Sequence, residues 1–335
     1  MKTHISSLES SHFPVMLREI IQISTPIKGR FFVDCTFGGG GYSKKLLQFS
    51  ETKVIGIDRD PNVTSIADKL VTKYHNRFKF YQSKFSQIDR ILKDNVDTII
   101  FDLGLSSIQL NNFKRGFSFK SKDNLDMSMG LTDISAQQVI NNLSEEQLKL
   151  IIKILGEEKE ASKIAKNIVR ARTEKKITRV DQLVAIIEKS KKKNFHTKIN
   201  PSTKTFQAIR IFVNKEVTEL INGIINATKI LKPGGKILVV SFHSIEDRIV
   251  KYYFSNFSRN KSKPSRYLPE TKNDFELFEK YVNKVIIPSK DEIIRNKPSR
   301  SAKLRFAVRS SKKFNYPKEL FKKFKKYLEI EAINA

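Results

Sequence analysis

The apolar positions of the first 110 residues fall in short runs separated by amphipathic stretches. Phe31 to Phe37 (FFVDCTF) reads as a strand followed by a helix from about Tyr42. Lys53 to Asp60 (KVIGIDRD) and Arg77 to Phe85 (RFKFYQSKF) read as two more strands. The helix between them begins near Pro61, where a missing N–H costs nothing in a first turn. A third short helix leads into Val96 to Gly104 (VDTIIFDLG), a fourth strand. Strands alternating with helices at this spacing predict a parallel sheet with right-handed crossovers.

After Asn112 the period changes, and nothing up to about Thr205 reads as a strand. Helices are predicted near Ser135 to Asn142, from Ser144 with Gln147 completing a capping box, from Ala161 to Arg172, and from Val180 to Ser190. Leu148, Ile151, Ile152 and Leu155 share one helical face, as do Ile164, Ala165 and Ile168. The α/β pattern resumes with one long helix from about Phe206 to Leu231, punctuation at Pro233, Gly234 and Gly235, the strand Lys236 to Phe242, and a helix from about Ser244. The late runs Tyr281 to Ser289 and Ala302 to Ser310 suit a terminal hairpin. Asn256 to Asn273 reads as a polar surface loop, and Lys322 to Lys326 as part of a basic helix with Phe321, Phe324 and Leu328 on its other face. The expected fold is therefore α/β, a Rossmann-like sheet interrupted by an all-helical domain: residues 1–111, the insertion 112–205, and 206–335 with a basic C-terminal region.

Composition narrows the class. Hydrophobic residues make up 39% of the chain, enough for a globular core, but no apolar run approaches the roughly 18 residues of a membrane helix. The segment MKTHISSLESSHF lacks the apolar centre of a signal peptide, so a cytoplasmic location is expected. The one cysteine, Cys35, lies in a strand-like run and reads as a buried, inert thiol. The formal charge of +28 is unevenly distributed: +4 over residues 1–110, +11 over 153–215 and +13 over 251–335. A lysine-biased proteome explains lysine in place of arginine better than it explains 63 basic against 35 acidic residues, so a polyanionic partner is the stronger reading.

The chemistry-bearing residues sit where such sheets bind nucleotides, at strand ends. The loop Asp34-Cys-Thr-Phe-Gly38-Gly39-Gly40-Gly41-Tyr42 lets backbone approach a ligand, although four glycines also suit a plain tight turn. Asp58, ending the second strand, is placed to accept from two ribose hydroxyls; solvation at a strand end or capping of the Pro61 helix are the alternatives. Asp102, ending the fourth strand, is placed to accept from the amino group of a cytosine or adenine, a need that a nicotinamide enzyme lacks; ordinary solvation at a strand end is the alternative. Phe85 suits packing on an adenine or in the core equally.

These residues belong to a longer series: His12-Phe-Pro-Val-Met-Leu, TFGGGGYS, IDRDP, FDLGLSS with Gln109, Arg115-Gly-Phe-Ser-Phe, Leu125-Asp-Met, Gly156-Glu-Glu, Thr205-Phe-Gln-Ala-Ile-Arg210, Ser241-Phe-His-Ser-Ile-Glu-Asp-Arg248 and Lys303-Leu-Arg. In this order they resemble the bacterial ribosomal RNA small subunit methyltransferase H family, also called MraW. The resemblance implies a class I methyltransferase fold with a helical domain after the fourth strand. It implies S-adenosyl-L-methionine as methyl donor and transfer to the exocyclic N4 of a cytosine in the decoding region of 16S rRNA within the small ribosomal subunit, cytosine 1402 in the standard rRNA numbering. The implied cofactor contacts are Gly40, Gly41, Tyr42, Asp58, Phe85, Asp102 and Gln109. Against the family pattern, Cys35 replaces the common glycine, Gly39 a frequent arginine and Tyr42 a frequent histidine, and LDMSMG lacks an arginine and a second acid.

A sulfonium methyl needs alignment and exclusion of water, and no metal. Five scattered histidines and one cysteine make no zinc cluster. Asp102 is the first candidate acceptor for the amino proton and His243 the second, with a structural role for His243 as the alternative. Phe113, Phe117 or Phe242 is expected to stack on the target base. Arg170, Arg172, Lys175, Lys176 and Lys191 to Lys193, with Arg295, Lys297, Arg300 and Lys303, are the expected phosphate contacts. A nicotinamide-dependent oxidoreductase and a non-catalytic RNA-binding protein remain as alternatives. The oligomeric state stays open, a homodimer included.

Overall fold

A computed structural model describes residues 14–93, 96–191, 200–258, 276–279 and 284–334. Six strands form one sheet in the order 3-2-1-4-5-6: β1 (Phe31–Asp34), β2 (Lys53–Asp58), β3 (Phe78–Gln82), β4 (Val96–Asp102), β5 (Leu231–Ser241) and β6 (Lys303–Val308). The first five are parallel and β6 runs antiparallel to β5. This is the Rossmann-like class I arrangement expected, and the chain reverses direction across the sheet between β1 and β4. Their C-terminal ends therefore flank a crevice.

Alternation along each strand sends side chains to opposite faces. Phe32, Val54, Ile100, Leu238 and Val240 pack on one face beneath α1 (Leu17–Ser24), α2 (Gly41–Leu46) and α3 (Thr64–Tyr74). Val33, Ile55, Ile57, Ile99 and Phe101 pack on the other, in a core that continues without a break into the helical region. Cys35 is in that core, 1% exposed, and burial pushes its thiol well up, as expected of an inert cysteine. The short α4 (Ile88–Ile91) precedes β4, and α5 (Ser107–Asn111) follows it.

The middle of the chain is helical: α6 (Ala136–Asn142), α7 (Glu145–Leu155), α8 (Ala161–Glu174) and α9 (Val180–Ser190). Ser144 and Gln147 form the expected capping box, and Ser135 with Gln138 forms another. Leu148, Ile151, Ile152, Leu155, Ile164, Ala165 and Ile168 are all buried.

Two expectations are corrected. The long helix from Phe206 to Leu231 is two, α10 (Thr203–Asn214) and α11 (Glu216–Ile230), broken at Lys215, whose φ of 50° and ψ of 45° are left-handed. Among the described residues, the terminal hairpin comes down to a bridge between Ile286 and Leu304, and β6 pairs along its length with β5. The chain also forms α12 (Ser244–Asn256), α13 (Lys290–Arg295) and α14 (Lys318–Glu331). Most of the loop expected at Asn256 to Asn273, the His12-Phe segment, Lys192, Lys193 and the start of the Tyr281 run lie outside the described residues. Among those described, no helix is long and apolar enough to cross a membrane.

Candidate active site

The ends of β1, β2 and β4 open on a cavity of about 630 Å³. The glycine loop forms one wall. Gly40, at φ 73°, makes the turn that starts α2, and a Cβ on Gly41 would meet the Pro14 ring at 2.9 Å. The loop is thus held by a positive φ and by close packing, the two uses for which glycine is suited. Gly39 differs, with nothing within 4 Å of its Cβ direction, so this is where the loop has room for the family's larger side chain.

Asp58 holds the loop against β2. One carboxylate oxygen accepts from the Gly38 N–H at 2.8 Å and the other from the Asp60 N–H at 2.9 Å. Asp60, and not Asp58, caps the turn at Pro61, by accepting from the Asn62 N–H at 3.0 Å. Burial pushes the Asp58 carboxyl up to about 6 in spite of these donors. Asp102 is more extreme. Burial first, then the neighbouring Asp34, pushes it up to about 8. Its Oδ2 lies 3.3 Å from the Tyr42 hydroxyl, and its Oδ1 is buried without a hydrogen-bond partner.

The cavity is lined by Gly41, Tyr42, Asp58, Phe85, Asp102 and Gln109 among the residues expected there, whereas Gly40 shapes the turn behind it. Phe85 starts a turn after β3 and packs edge-on against Phe101, with ring centroids 5.3 Å apart. Gln109 lines the wall, but its amide is committed at both ends. Its Oε1 accepts from the Ser106 N–H at 3.0 Å and its Nε2 donates to Asp60 at 2.9 Å. Arg115 also donates to Asp60, and to the Ser128 carbonyl at 2.6 Å, so Gln109 and Arg115 together tie the loop after β4 to the end of β2. Arg59 strengthens the tie by donating to the carbonyls of Gly130, Leu131 and Asn214.

Sequence reasoning missed three carboxylates in the wall, Glu216, Glu219 and Glu246. Glu246 had a signal, since it stands three residues after His243 at a helix start; Glu216 and Glu219 had none, being hidden in an assumed continuous helix. Five carboxylates thus meet at the cavity, with Arg59, Arg295 and Lys297 as its basic groups.

His243 does not line this cavity. It borders a second one, of about 270 Å³, which shares Gly104, Leu105, Leu110, Phe242 and Pro298 with the first. The second cavity carries Phe117, Phe119, Phe206 and Phe242 in a largely apolar wall, with Arg210 and His243 as its charged or titratable groups. Of the three rings expected to stack on the target base, Phe117 and Phe242 line this cavity. Phe113 lines neither cavity and is 47% exposed on the surface.

The basic segments are also sorted by the fold. Arg172 donates to the carbonyls of Ile140 and Leu143, Lys191 pairs with Glu158 at 2.6 Å, and Lys303 pairs with Asp247 at 3.1 Å. These three serve internal contacts. Arg170, Lys175, Lys176, Arg295, Lys297 and Arg300 are exposed.

A family model described as the MraW methylase family matches residues 9–310. The ribosomal RNA small subunit methyltransferase H of Bartonella grahamii is 42% identical over 299 residues, covering 89% of this chain and 90% of its own. That of Orientia tsutsugamushi is 40% identical over 309 residues, covering 90% and 99%. A solved rRNA methylase from Streptococcus thermophilus aligns with 90% of this chain and 100% of its own at 8% identity, with a TM-score of 0.38. The extent of the family match, with 40% identity or more across nearly the whole of both chains, settles the kinship: this chain belongs to the MraW methylase family.

Proposed function

We propose that the protein transfers a methyl group from S-adenosyl-L-methionine to small-subunit ribosomal RNA, at the exocyclic N4 of a cytosine in the decoding region. The observation that carries this reading is the pairing of two adjoining cavities: a larger one walled by five carboxylates and a smaller aromatic one, meeting at Gly104, Leu105 and Phe242. Adenosylmethionine is cationic and carries a ribose, and the larger cavity has the chemistry for both. The orphan Oδ1 of Asp102 and the carboxylate of Asp58 are acceptors for its polar groups, and Gly38, Gly39 and Gly41 bring bare backbone to the cavity wall.

Bound there, adenosylmethionine supplies a methyl on a sulfonium, already electrophilic. The protein's own work is to hold, orient and exclude water. Asp58 holds a ribose, Phe85 offers an aromatic surface at the cavity wall, and Gln109 positions Asp60 and the loop rather than reaching for a ligand. The smaller cavity, bounded by Phe117, Phe119, Phe206 and Phe242, accepts a flipped-out base between aromatic faces, and extruding that base costs a few kcal/mol. The exposed cations of residues 112–205 and of the C-terminal part offset that cost through phosphate contacts, which makes the helical region the substrate-recognition domain.

Mass spectrometry of small-subunit rRNA from cells with and without this protein tests the reading. The expected result is loss of one N4-methylcytosine, restored by the wild-type gene and not by Asp102→Ala. An unchanged methylation pattern overturns it.

A further inference from the structure

The charged groups between the two cavities are one connected set. Arg210 donates from Nε and Nη2 to the two oxygens of Glu216, at 2.8 Å each. Glu216, His243 and Glu246 present polar atoms that all lie within 4.8 Å of one another. Glu246 Oε2 accepts from the backbone N–H of Phe242 at 2.8 Å and of His243 at 3.3 Å. Its Oε1 stands 3.0 Å from His243 Nε2, close but off the line of a formed hydrogen bond. Apo sites commonly show such loosened contacts, which tighten when substrate binds. Burial alone would raise the Glu246 carboxyl; the facing imidazole and Arg210 outweigh burial and hold it below the ordinary range.

The placement is asymmetric. Glu216 and Glu246 line the larger cavity, whereas Arg210 and His243 line the aromatic one. The His243 side chain is 9% exposed, and its Nδ1 is buried with no partner of its own. A ring nitrogen without a partner, on a residue that borders the aromatic cavity, with a carboxylate behind the other nitrogen, is the arrangement of a general base and its orienting group. Both oxygens of Glu216 are engaged by Arg210, which leaves the trio a poor set of metal ligands.

We propose that His243 Nδ1 takes the proton released by the acceptor amine, and that Glu246 is the positioning residue that fixes the imidazole with Nε2–H toward its carboxylate. The inference rests on the methyl-transfer reading above. As the bond from the amine nitrogen to the methyl carbon forms, the carbon–sulfur bond breaks with its electron pair left on sulfur. The nitrogen then sheds one proton to Nδ1, and the ionised Glu246 stabilises the resulting imidazolium.

Two measurements on the full chain test this. Nitrogen-15 NMR of the histidine rings, assigned with His243→Ala, should show a neutral Nε2–H tautomer at His243 that is lost in Glu246→Gln; an Nδ1–H tautomer in the wild type overturns the proposal without reference to activity. In methylation assays on small-subunit particles, His243→Ala should lower kcat by about 100-fold, with adenosylmethionine affinity unchanged and partial rescue by added imidazole. Glu246→Gln should lower kcat and leave KM for the particles alone. A His243→Ala enzyme with wild-type kcat, or a wild-type activity abolished by chelator and restored by a divalent ion, overturns it. If the wild type binds adenosylmethionine yet methylates no particle, it is the methyl-transfer reading that fails, and the NMR result still decides the geometry of the pair.

Discussion

Asp102 competes with the Val15 carbonyl for the Tyr42 proton. The Tyr42 hydroxyl donates to the Val15 carbonyl and also lies 3.3 Å from Asp102 Oδ2. A phenol has a single hydrogen. The more of that hydrogen Val15 takes, the less is left to stabilise an ionised Asp102, whose carboxyl burial and Asp34 already push up to about 8. The cavity without cofactor therefore holds Asp102 in its neutral form at neutral pH.

A cation entering the cavity favours the ionised form of Asp102, so binding releases a proton. Adenosylmethionine affinity should climb as pH rises toward about 8 and level off above it. Calorimetry in buffers of different ionisation enthalpy measures the proton release directly. Asp102→Asn should flatten the dependence; an unchanged slope in that variant removes Asp102 from the linkage.

Stability without ligand should show the opposite trend. Asp34 and Asp58 are raised to about 6, Glu331 to about 7 and Asp102 to about 8. A raised folded-state value means the fold holds protons that the unfolded chain gives up, so that contribution is complete below the unfolded carboxylate range and is lost as pH rises through these values. Denaturation of the cofactor-free protein should show stability falling from about pH 5 to pH 8. A rise across that window would contradict the assignment.

Asp58→Ala should weaken adenosylmethionine binding by about 1–3 kcal/mol, the cost of leaving ribose hydroxyls without their acceptor. The Gly38 N–H loses its partner in the same variant. Calorimetry on a variant shown by circular dichroism to be folded is the measurement, and full affinity there would place the ribose elsewhere.

Glu331, near the end of α14, caps α11 from a distance. Its carboxylate accepts from the N–H groups of Val217 and Thr218 at 2.8 Å each and from the Thr218 hydroxyl at 2.6 Å. Glu331→Ala strips a buried helix start of its acceptor and should cost about 1–3 kcal/mol in chemical denaturation. Glu331→Gln, which keeps one acceptor oxygen, should cost less.

For RNA, neutralising Arg170, Lys175 and Lys176 together should reduce the slope of log affinity against log salt by about 0.7–0.9 per lost phosphate contact. Cofactor affinity should stay unchanged. The same treatment of Arg172 and Lys191 should instead destabilise the fold, because they hold Ile140, Leu143 and Glu158. An undisturbed salt series for the first set would leave those cations as plain solvated surface.

Much of this was legible in the sequence, and the exceptions have physical causes. The strands and the capped helices depend on nearby residues, so Ser144 with Gln147, or the apolar face from Leu148 to Leu155, could be read locally. The Lys215 break could not, because a lysine gives no sign of a left-handed backbone and apolar positions continue on both sides of it. Charge runs gave the sign of the surface and not its partners. Arg172 finds its acceptors around 30 residues away, a pairing that only the tertiary fold creates. The strand-end positions of Asp58 and Asp102 followed from topology, whereas the commitment of Gln109 to Asp60 depends on a contact across two loops.

The corner at Lys215 gives α14 a hold on the walls of cavities that it does not line. One residue separates α10 from α11; Arg210 and Glu216 are clamped across it, and Glu331 grips the backbone just beyond. The bend between Arg210, which lines the smaller cavity, and Glu216, which lines the larger, is thus held by two carboxylates. Loss of the Glu331 contacts would therefore loosen a corner on which the walls of both cavities turn, although no residue of α14 lines either cavity.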